Sequence, residues 1–337
     1  MDKEIEGVYT TGSSFRAFAE AHARNYRLTK LQLKEFKGYG HILTEVNAHN
    51  GMNFLPSLRN EILSAVQERN EKGKGVDIDR TTKNMLSSQA MCFNLFVPLN
   101  LNKKYATAFF NQLLGDCQEI TTDIEIEYTP SKTIFNDQSN KGGVDCDALL
   151  QYKNDKGESS LLVIETKYVE KEFSICGFRK NEFNKQKKKR DLCPLDTIVD
   201  PDFSNCRYQY KKHYIYWEVA KASNLFNMDL IYSESCPFGG SLWQLWVNMT
   251  LAYGVAKERG CDVFKYAVIC HERNDKLSDN GKVFLEFKKL LKNPKHLKII
   301  YLSDIKRSFE FLENNYPDIT WTKEFTERYC SYLREIF

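Results

Sequence analysis

The chain has 337 residues, of which 28% are charged, and its net charge is +3. Such a charge is no nucleic-acid-binding signature by itself, and no apolar stretch approaches the roughly 20 residues of a membrane span. The opening residues 1–6 are charged and no apolar run follows them. We therefore expect no signal peptide, no membrane partner and a cytoplasmic protein whose cysteines stay reduced.

Helices dominate the predicted first part of the chain. Apolar spacing and capping residues predict helices over 13–37, 55–69, 87–96 and 105–117, with a charged loop over 70–80. Residues 122–128 alternate between apolar and acidic side chains, which predicts a half-exposed strand with Glu125 and Glu127 facing solvent. The predicted organisation is an N-terminal helical region over 1–85 and one large α/β domain over 86–337.

A β-hairpin is predicted over 144–169. Two apolar runs, 144–152 and 161–169, flank the polar turn 153–157. With the turn centred near Lys156, Asp147 lies opposite Glu165 and Asp145 lies opposite Lys167. The second run is apolar on both faces, which indicates a buried central strand.

The charged groups at the end of this hairpin predict phosphodiester hydrolysis. Two close carboxylates repel one another unless a cation lies between them, and Mg²⁺ accepts one or two protein carboxylates together with water and phosphate oxygens. A lysine beside the ion can orient the attacking water or bind the developing phosphate charge. A buried strand seldom ends in such charges unless they are paired or bind a metal.

Four cysteines fall in the predicted loop-rich insert at about 174–238. They are Cys176, Cys193, Cys206 and Cys236, with spacings of 17, 13 and 30 residues. Three of them adjoin glycine or proline, and thiolates on turns can converge on Zn²⁺ or on an iron–sulfur cluster. The alternative is that they are scattered buried cysteines that act as small apolar side chains.

The same insert carries a dense basic run. Its members are Lys185, Lys187, Lys188, Lys189 and Arg190. Such a run can follow a phosphate backbone, and the aromatic residues between 208 and 217 can stack on unpaired bases. The alternative is a solvated lysine loop beside an aromatic core.

The remaining elements are a helix over 241–257 that carries Gln244, a strand over 263–270, a helix over 283–291, a strand over 296–302 and a closing helix over 321–337.

Together, residues 88–99, the hairpin and the Gln244 helix resemble the PD-(D/E)xK nuclease superfamily, which has the restriction-endonuclease-like fold. The resemblance covers roughly 86–271 and is closest to an uncharacterised subgroup of restriction-endonuclease-like proteins. It implies Asp147 and Glu165 as ligands of Mg²⁺ or Mn²⁺, Lys167 as the catalytic lysine and Gln244 as a residue that helps arrange the site. The proline of the motif is missing, so Asp145 remains a rival to Asp147.

Related nucleases often add a carboxylate from an upstream helix, for which Glu45 and Glu61 are alternatives that spacing does not separate. The implied fold is an α/β core with a mixed central sheet flanked by helices, and the implied activity is metal-dependent cleavage of DNA in defence against foreign DNA or in DNA repair. A homodimer or a partner subunit would supply a second active site. Two other classes stay open: a non-cleaving nucleic-acid-binding module of the same fold, and a metal-stapled structural protein.

Overall fold

A computed structural model of the protein describes residues 14–73, 75–138, 144–179, 192–194, 196–232 and 235–331. Its helices are α1 (Phe15–Thr29), α2 (Glu45–His49), α3 (Arg59–Glu71), α4 (Ile78–Lys83), α5 (Ser88–Asn100), α6 (Lys103–Leu114), α7 (Lys132–Phe135), α8 (Arg207–Lys212), α9 (Tyr216–Ala222), α10 (Trp243–Arg259), α11 (Asp275–Ser278), α12 (Lys282–Lys289), α13 (Leu302–Asn315) and α14 (Trp321–Phe325). Among the helices of these residues, none is long and apolar enough to cross a membrane.

The described strands form one mixed sheet. They are β1 (Cys117–Ile120), β2 (Glu125–Tyr128), β3 (Cys146–Asn154), β4 (Ser159–Thr166), β5 (Val263–Cys270) and β6 (Leu297–Tyr301). The strand order is β1-β3-β4-β5-β6, and β2 also pairs with β3. Pairs on the β1–β4 side are antiparallel, whereas β5 lies parallel to both β4 and β6. The predicted α/β fold with a mixed central sheet is confirmed.

Helices cover both faces of this sheet and produce two apolar cores. One core joins Leu162 and Ile164 of β4 to helices α1, α3, α5, α6 and α13. The other core joins Leu161 and Val163 to α9, α10 and α12. Burial on both faces explains why β4 reads as a continuous apolar run instead of alternating. The helices before residue 86 therefore pack into the same core as the sheet.

Strand β1 is an element that the sequence prediction missed. The predicted helix 105–117 ends instead at Leu114, because Gly115 adopts a left-handed conformation (φ 83°) and caps the helix. The chain can then turn into β1, which pairs with the far end of β3. Helix α13 was also missed. In the described part of the predicted closing helix 321–337, α14 is followed by a π-helical turn over Thr326–Cys330, and residues 332–337 lie outside the described residues.

Candidate active site

The hairpin of β3 and β4 has the predicted register. Its pairs run from Lys153–Ser159 to Ala148–Ile164, which centres the turn near residue 156. One step further in the same register, Asp147 lies across from Glu165. On the other side of β3, the pairs Ile126–Ala148 and Tyr128–Cys146 place Glu127 of β2 across from Asp147. Three neighbouring strands therefore bring three carboxylates to one end of the sheet.

Glu165 is buried and is held by side chains from two elements. Helix α10 contributes Gln244, whose Nε2 donates to Glu165 Oε1 at 2.6 Å, and Asn248, whose Nδ2 donates to Oε2 at 2.9 Å. Lys167 Nζ lies 2.9 Å from Glu165 Oε1. Both carboxylate oxygens therefore have fixed directions, and the structure brings Glu165, Lys167 and Gln244 together.

Asp147 is fixed by the strand that carries the other two charged residues. Its Oδ2 accepts hydrogen bonds from the backbone N–H of Thr166 at 2.5 Å and from Thr166 Oγ1 at 2.6 Å. Thr166 is the middle residue of the Glu-Thr-Lys sequence, between Glu165 and Lys167. A single threonine thus links Asp147 to the Glu165 strand.

Lys167 is a buried cation at the end of β4. Its backbone N–H donates to the carbonyl of Ile269 at 2.8 Å, and its Nζ lies 5.8 Å from the centre of the Phe173 ring. Burial lowers the pKa of Lys167, but the charges of Glu165, Glu170 and Asp147 outweigh it and the pKa is raised. The ammonium group therefore stays protonated inside a predominantly acidic site.

Glu127 was predicted to face solvent, and this prediction is wrong. The residue is only 5% exposed, and its backbone has a positive φ of 53°. That conformation breaks the strand alternation from which exposure was predicted. Gly75 closes over the carboxylate: a Cβ at Gly75 would lie 3.1 Å from Glu127 Oε2, so the close approach favours glycine. Glu125, two residues earlier, is partly exposed and pairs with Arg259 at 2.5 Å.

The carboxylates of this site have raised pKa values. Burial, followed by the charge of Asp147, raises the pKa of Glu127 to about 9, of Glu165 to about 8 and of Asp145 to about 6. Burial also raises the pKa of Asp147, although Lys167 and the two hydrogen bonds from Thr166 oppose it. A cation placed among these groups would lower all four pKa values.

These raised pKa values predict that the metal-free protein loses stability as pH rises from about 5 to about 9. In the unfolded chain Glu127 and Glu165 ionise near 4.5, whereas in the folded protein they keep their protons to about 9 and about 8. The unfolded state then binds fewer protons across this window, so the free energy of unfolding falls as pH rises.

Thermal melting between pH 5 and 9, with chelator and with Mg²⁺, measures this effect. We expect Mg²⁺ to raise the melting temperature more at pH 8 than at pH 5. The double variant Glu127→Gln, Glu165→Gln should show a flatter pH profile without metal. Equal slopes for the variant and the unmodified protein would contradict the assignment of the pH dependence to these two groups.

The two helical carboxylates considered from the sequence lie at the surface. Glu45 pairs with Lys83 at 2.7 Å and Glu61 is exposed on α3. Asp145, the rival of Asp147, is partly buried just before β3. The additional carboxylate beside Asp147 therefore comes from strand β2, as Glu127.

The four predicted metal-binding cysteines line one cavity, next to Trp217 and Phe238. In the part of the chain that the structure describes, no group of three or more His, Cys, Asp or Glu side chains could hold a metal ion as the side chains stand. The basic residues Lys185, Lys187, Lys188, Lys189 and Arg190 lie outside the described residues.

The predicted base-stacking aromatic residues are mostly packed. Tyr208 stacks on Trp243 with ring centres 4.9 Å apart, and Tyr216 and Trp217 are buried. Tyr210, by contrast, is 64% exposed. The aromatic residues thus contribute mainly to the core beneath α10.

Asn248 is a site residue that sequence reasoning missed. It follows Gln244 by four residues on α10, so both side chains project from one face of the helix toward Glu165. That spacing was a readable signal. No comparable sequence signal placed Glu127 in the site, because the apolar–acidic alternation of β2 predicts that its side chain faces solvent.

Comparison with known proteins agrees with this fold. A family model described as the PD-(D/E)XK nuclease superfamily matches residues 11–194, more than half of the chain. The chain therefore belongs to the PD-(D/E)XK nuclease superfamily, whose members are in general hydrolases that cut nucleic acids and typically use divalent metals such as Mg²⁺. The matched range contains Asp147, Glu165 and Lys167 and ends before Gln244. No curated protein and no solved structure matches the chain.

Proposed function

We propose that this protein is a DNA endonuclease that depends on Mg²⁺ or Mn²⁺ and uses Asp147, Glu165 and Lys167. One observation carries the proposal: a buried lysine contacts a buried glutamate at 2.9 Å, at the end of a central strand where further carboxylates converge. Buried charges of this kind are costly to a fold, and perturbed carboxylates around one cation are typical of catalytic sites.

The donor set fits a hard divalent cation. Glu127 Oε1 is buried and has no hydrogen-bond partner among the described residues, and the pKa values of four carboxylates are raised. Asp147 and Glu165 would hold the ion, with Glu127 and Asp145 as further ligands or as bases for its bound water. Mg²⁺ needs only one or two protein carboxylates, because water and phosphate oxygens complete its coordination. When bound, the ion supplies a polarised water and charge stabilisation for the phosphate.

The other site residues have roles that follow from their contacts. Lys167 would donate hydrogen bonds from its ammonium group to the attacking water or to a phosphate oxygen, and would thereby orient the water and stabilise the negative charge that develops in the transition state. Gln244 and Asn248 hold the two oxygens of Glu165 in place, and Thr166 does the same for Asp147. The site is thus organised before substrate arrives, which lowers the cost of reaching the reactive geometry.

DNA is the proposed substrate because a long basic segment follows the site in sequence. Residues 185–190 would follow the phosphate backbone, and the exposed Lys211 and Lys212 at the end of α8 carry the same sign of charge. We further propose that the protein belongs to the subgroup of restriction-endonuclease-like proteins that its sequence resembles. Its role would be cytoplasmic, in defence against foreign DNA or in DNA repair. Cutting both strands would require a homodimer or a partner subunit.

A cleavage assay tests the proposal. The purified full-length chain is incubated with supercoiled plasmid, linear duplex and single-stranded DNA, in Mg²⁺, Mn²⁺ or chelator. We expect cleavage with either ion and none with chelator. A gel shift without cleavage under all conditions would favour the non-cleaving binding module instead. A protein that binds metal but has no affinity for DNA would favour the third class, a structural protein stabilised by a metal ion.

A further inference from the structure

Four chain segments meet around the cavity that Cys176, Cys193, Cys206 and Cys236 line. The Cys176 turn closes with a hydrogen bond from Arg179 N–H to Cys176 O at 2.9 Å, and Cys193 N–H donates to Phe178 O at 2.7 Å. Cys236 N–H donates to Thr197 O at 2.8 Å, which ties the last segment to the second. Backbone contacts therefore fix the positions from which these side chains enter the cavity.

The sulfur atoms of this cluster receive hydrogen bonds from the backbone in a repeated pattern. In three cases the N–H group two residues later donates to the cysteine: Phe178 to Cys176, Tyr208 to Cys206 and Phe238 to Cys236. Cys206 also accepts from the side chain of Trp217. Such donors stabilise a thiolate, whereas an uncharged buried thiol gains little from them.

Without a cation, burial and mutual repulsion disfavour thiolates in the cavity. Burial raises the pKa of Cys176 to about 12 and of Cys236 to about 11, so without a cation these sulfurs stay protonated. Cys176, Cys206 and Cys236 each lie close enough to Cys193 for charges on the sulfurs to interact, so thiolates in the cavity would repel one another. Arg179 lines the cavity and places its guanidinium beside Cys236, which lowers the pKa of that thiol.

We propose that Cys176, Cys193, Cys206 and Cys236 together hold one metal ion as thiolates, with Zn²⁺ as the expected ion. The cavity has a volume of about 40 Å³, which exceeds the ~10–15 Å³ that a single water needs. A structural zinc site takes four thiolates in a tetrahedral arrangement, and four cysteines line this cavity. Their side chains would have to rotate to converge on one ion, because no group of three or more His, Cys, Asp or Glu among the described residues could hold a metal ion as it stands. Binding releases the protons of the four thiols. The ion then lies between four thiolates and offsets their mutual repulsion.

Such a centre would stabilise the segment between Lys167 and Gln244. The described part of this segment contains short helices and isolated bridges and no strand of the central sheet, so a bound metal would add cross-links that sheet pairing does not supply there. It also reaches the active site, because Ser174 N–H, two residues before Cys176, donates to Gln244 Oε1 at 3.0 Å. We therefore expect loss of the metal to loosen Gln244 without removing any of the carboxylates.

Metal analysis of the full-length chain tests this proposal without any activity assay. We expect about one Zn²⁺ per chain, bound through a washing step with a weak chelator, and a several-fold loss in each of Cys193→Ser, Cys206→Ser and Cys236→Ser. Cys261→Ser is the matched control, because Cys261 is partly buried but does not line the cavity. Substitution with Co²⁺ should give the intense absorption of a tetrahedral thiolate site.

A second measurement uses only the unmodified protein, so it does not depend on whether the cysteine variants fold. In the unmodified protein, titration with a mercurial reagent should release the metal as four thiols react. If the protein contains iron and inorganic sulfide instead of zinc and absorbs visible light, the bound group is an iron–sulfur cluster on the same four thiolates. That result would overturn the choice of zinc but not the site. A protein that purifies without metal and does not take up Zn²⁺, or cavity variants that keep their zinc, would overturn the site.

Discussion

Replacing Lys167 by alanine should reduce metal-dependent DNA cleavage by about 10²–10⁴-fold, the range for a positioned group that transfers a proton or stabilises charge. Lys167 Nζ contacts Glu165 Oε1 at 2.9 Å, and the side chain is only 11% exposed. A truncated side chain cannot be replaced by a mobile neighbour in so enclosed a place. DNA binding, measured by gel shift in Ca²⁺ or chelator, should remain, because one buried lysine contributes little to phosphate contacts.

The controls for this variant separate chemistry from folding. Lys153→Ala removes a lysine from the exposed end of the same hairpin and should leave cleavage unchanged. Lys167→Met keeps most of the buried volume without the charge, and should be as inactive as Lys167→Ala while melting closer to the unmodified protein. Cleavage by Lys167→Ala within a few fold of the unmodified rate would remove the lysine from the mechanism.

Replacing Glu127 by glutamine should change activity and stability in opposite directions. The pKa of Glu127 is raised to about 9, chiefly by burial and then by the charge of Asp147, so the folded protein favours its neutral form. Glutamine imitates that form, and we expect the metal-free protein to melt a few degrees higher at pH 8. Cleavage in Mg²⁺ should fall by about 10–100-fold, the usual cost of losing a carboxylate that supports a metal site.

Glu125→Gln is the matched control for Glu127→Gln. Glu125 lies on the same strand but is partly exposed and paired with Arg259, so its substitution should alter neither property strongly. The midpoint of the Mg²⁺ dependence should rise in Glu127→Gln and stay unchanged in the control. If both variants behave alike, Glu127 is only a buried residue next to the site and has no part in holding the ion.

The hairpin of β3 and β4 is the part of the fold that could be predicted best from local sequence. Both apolar runs and the turn of β3 and β4 were readable, and the turn centre near Lys156 fixed the register on which the pairing of Asp147 with Glu165 depends. Helix α10 was equally readable from its apolar stripe. Its position over β4, from which Gln244 and Asn248 reach Glu165, is a long-range contact that periodicity does not encode.

Glu127 shows where such reasoning fails. Its strand alternates regularly in sequence, yet the positive φ of 53° turns the residue out of the pattern, and Gly75, some 50 residues earlier, closes over its carboxylate. Gly115 misled the prediction in the same way, since its left-handed backbone ends α6 early and leaves room for β1. In both places one backbone angle outweighed the hydrophobic pattern.

The sequence by itself determined the hairpin, its register and the α/β class, because strand periodicity and turn chemistry act over a few residues. Only the tertiary structure decided that Glu127 belongs to the carboxylate cluster, that Asn248 shares Glu165 with Gln244, and that four distant cysteines line one cavity. Those placements depend on contacts between residues from 13 positions apart, as Cys193 and Cys206 are, to 83 positions apart, as Glu165 and Asn248 are. The energies of such contacts come from packing and burial and leave no local signature.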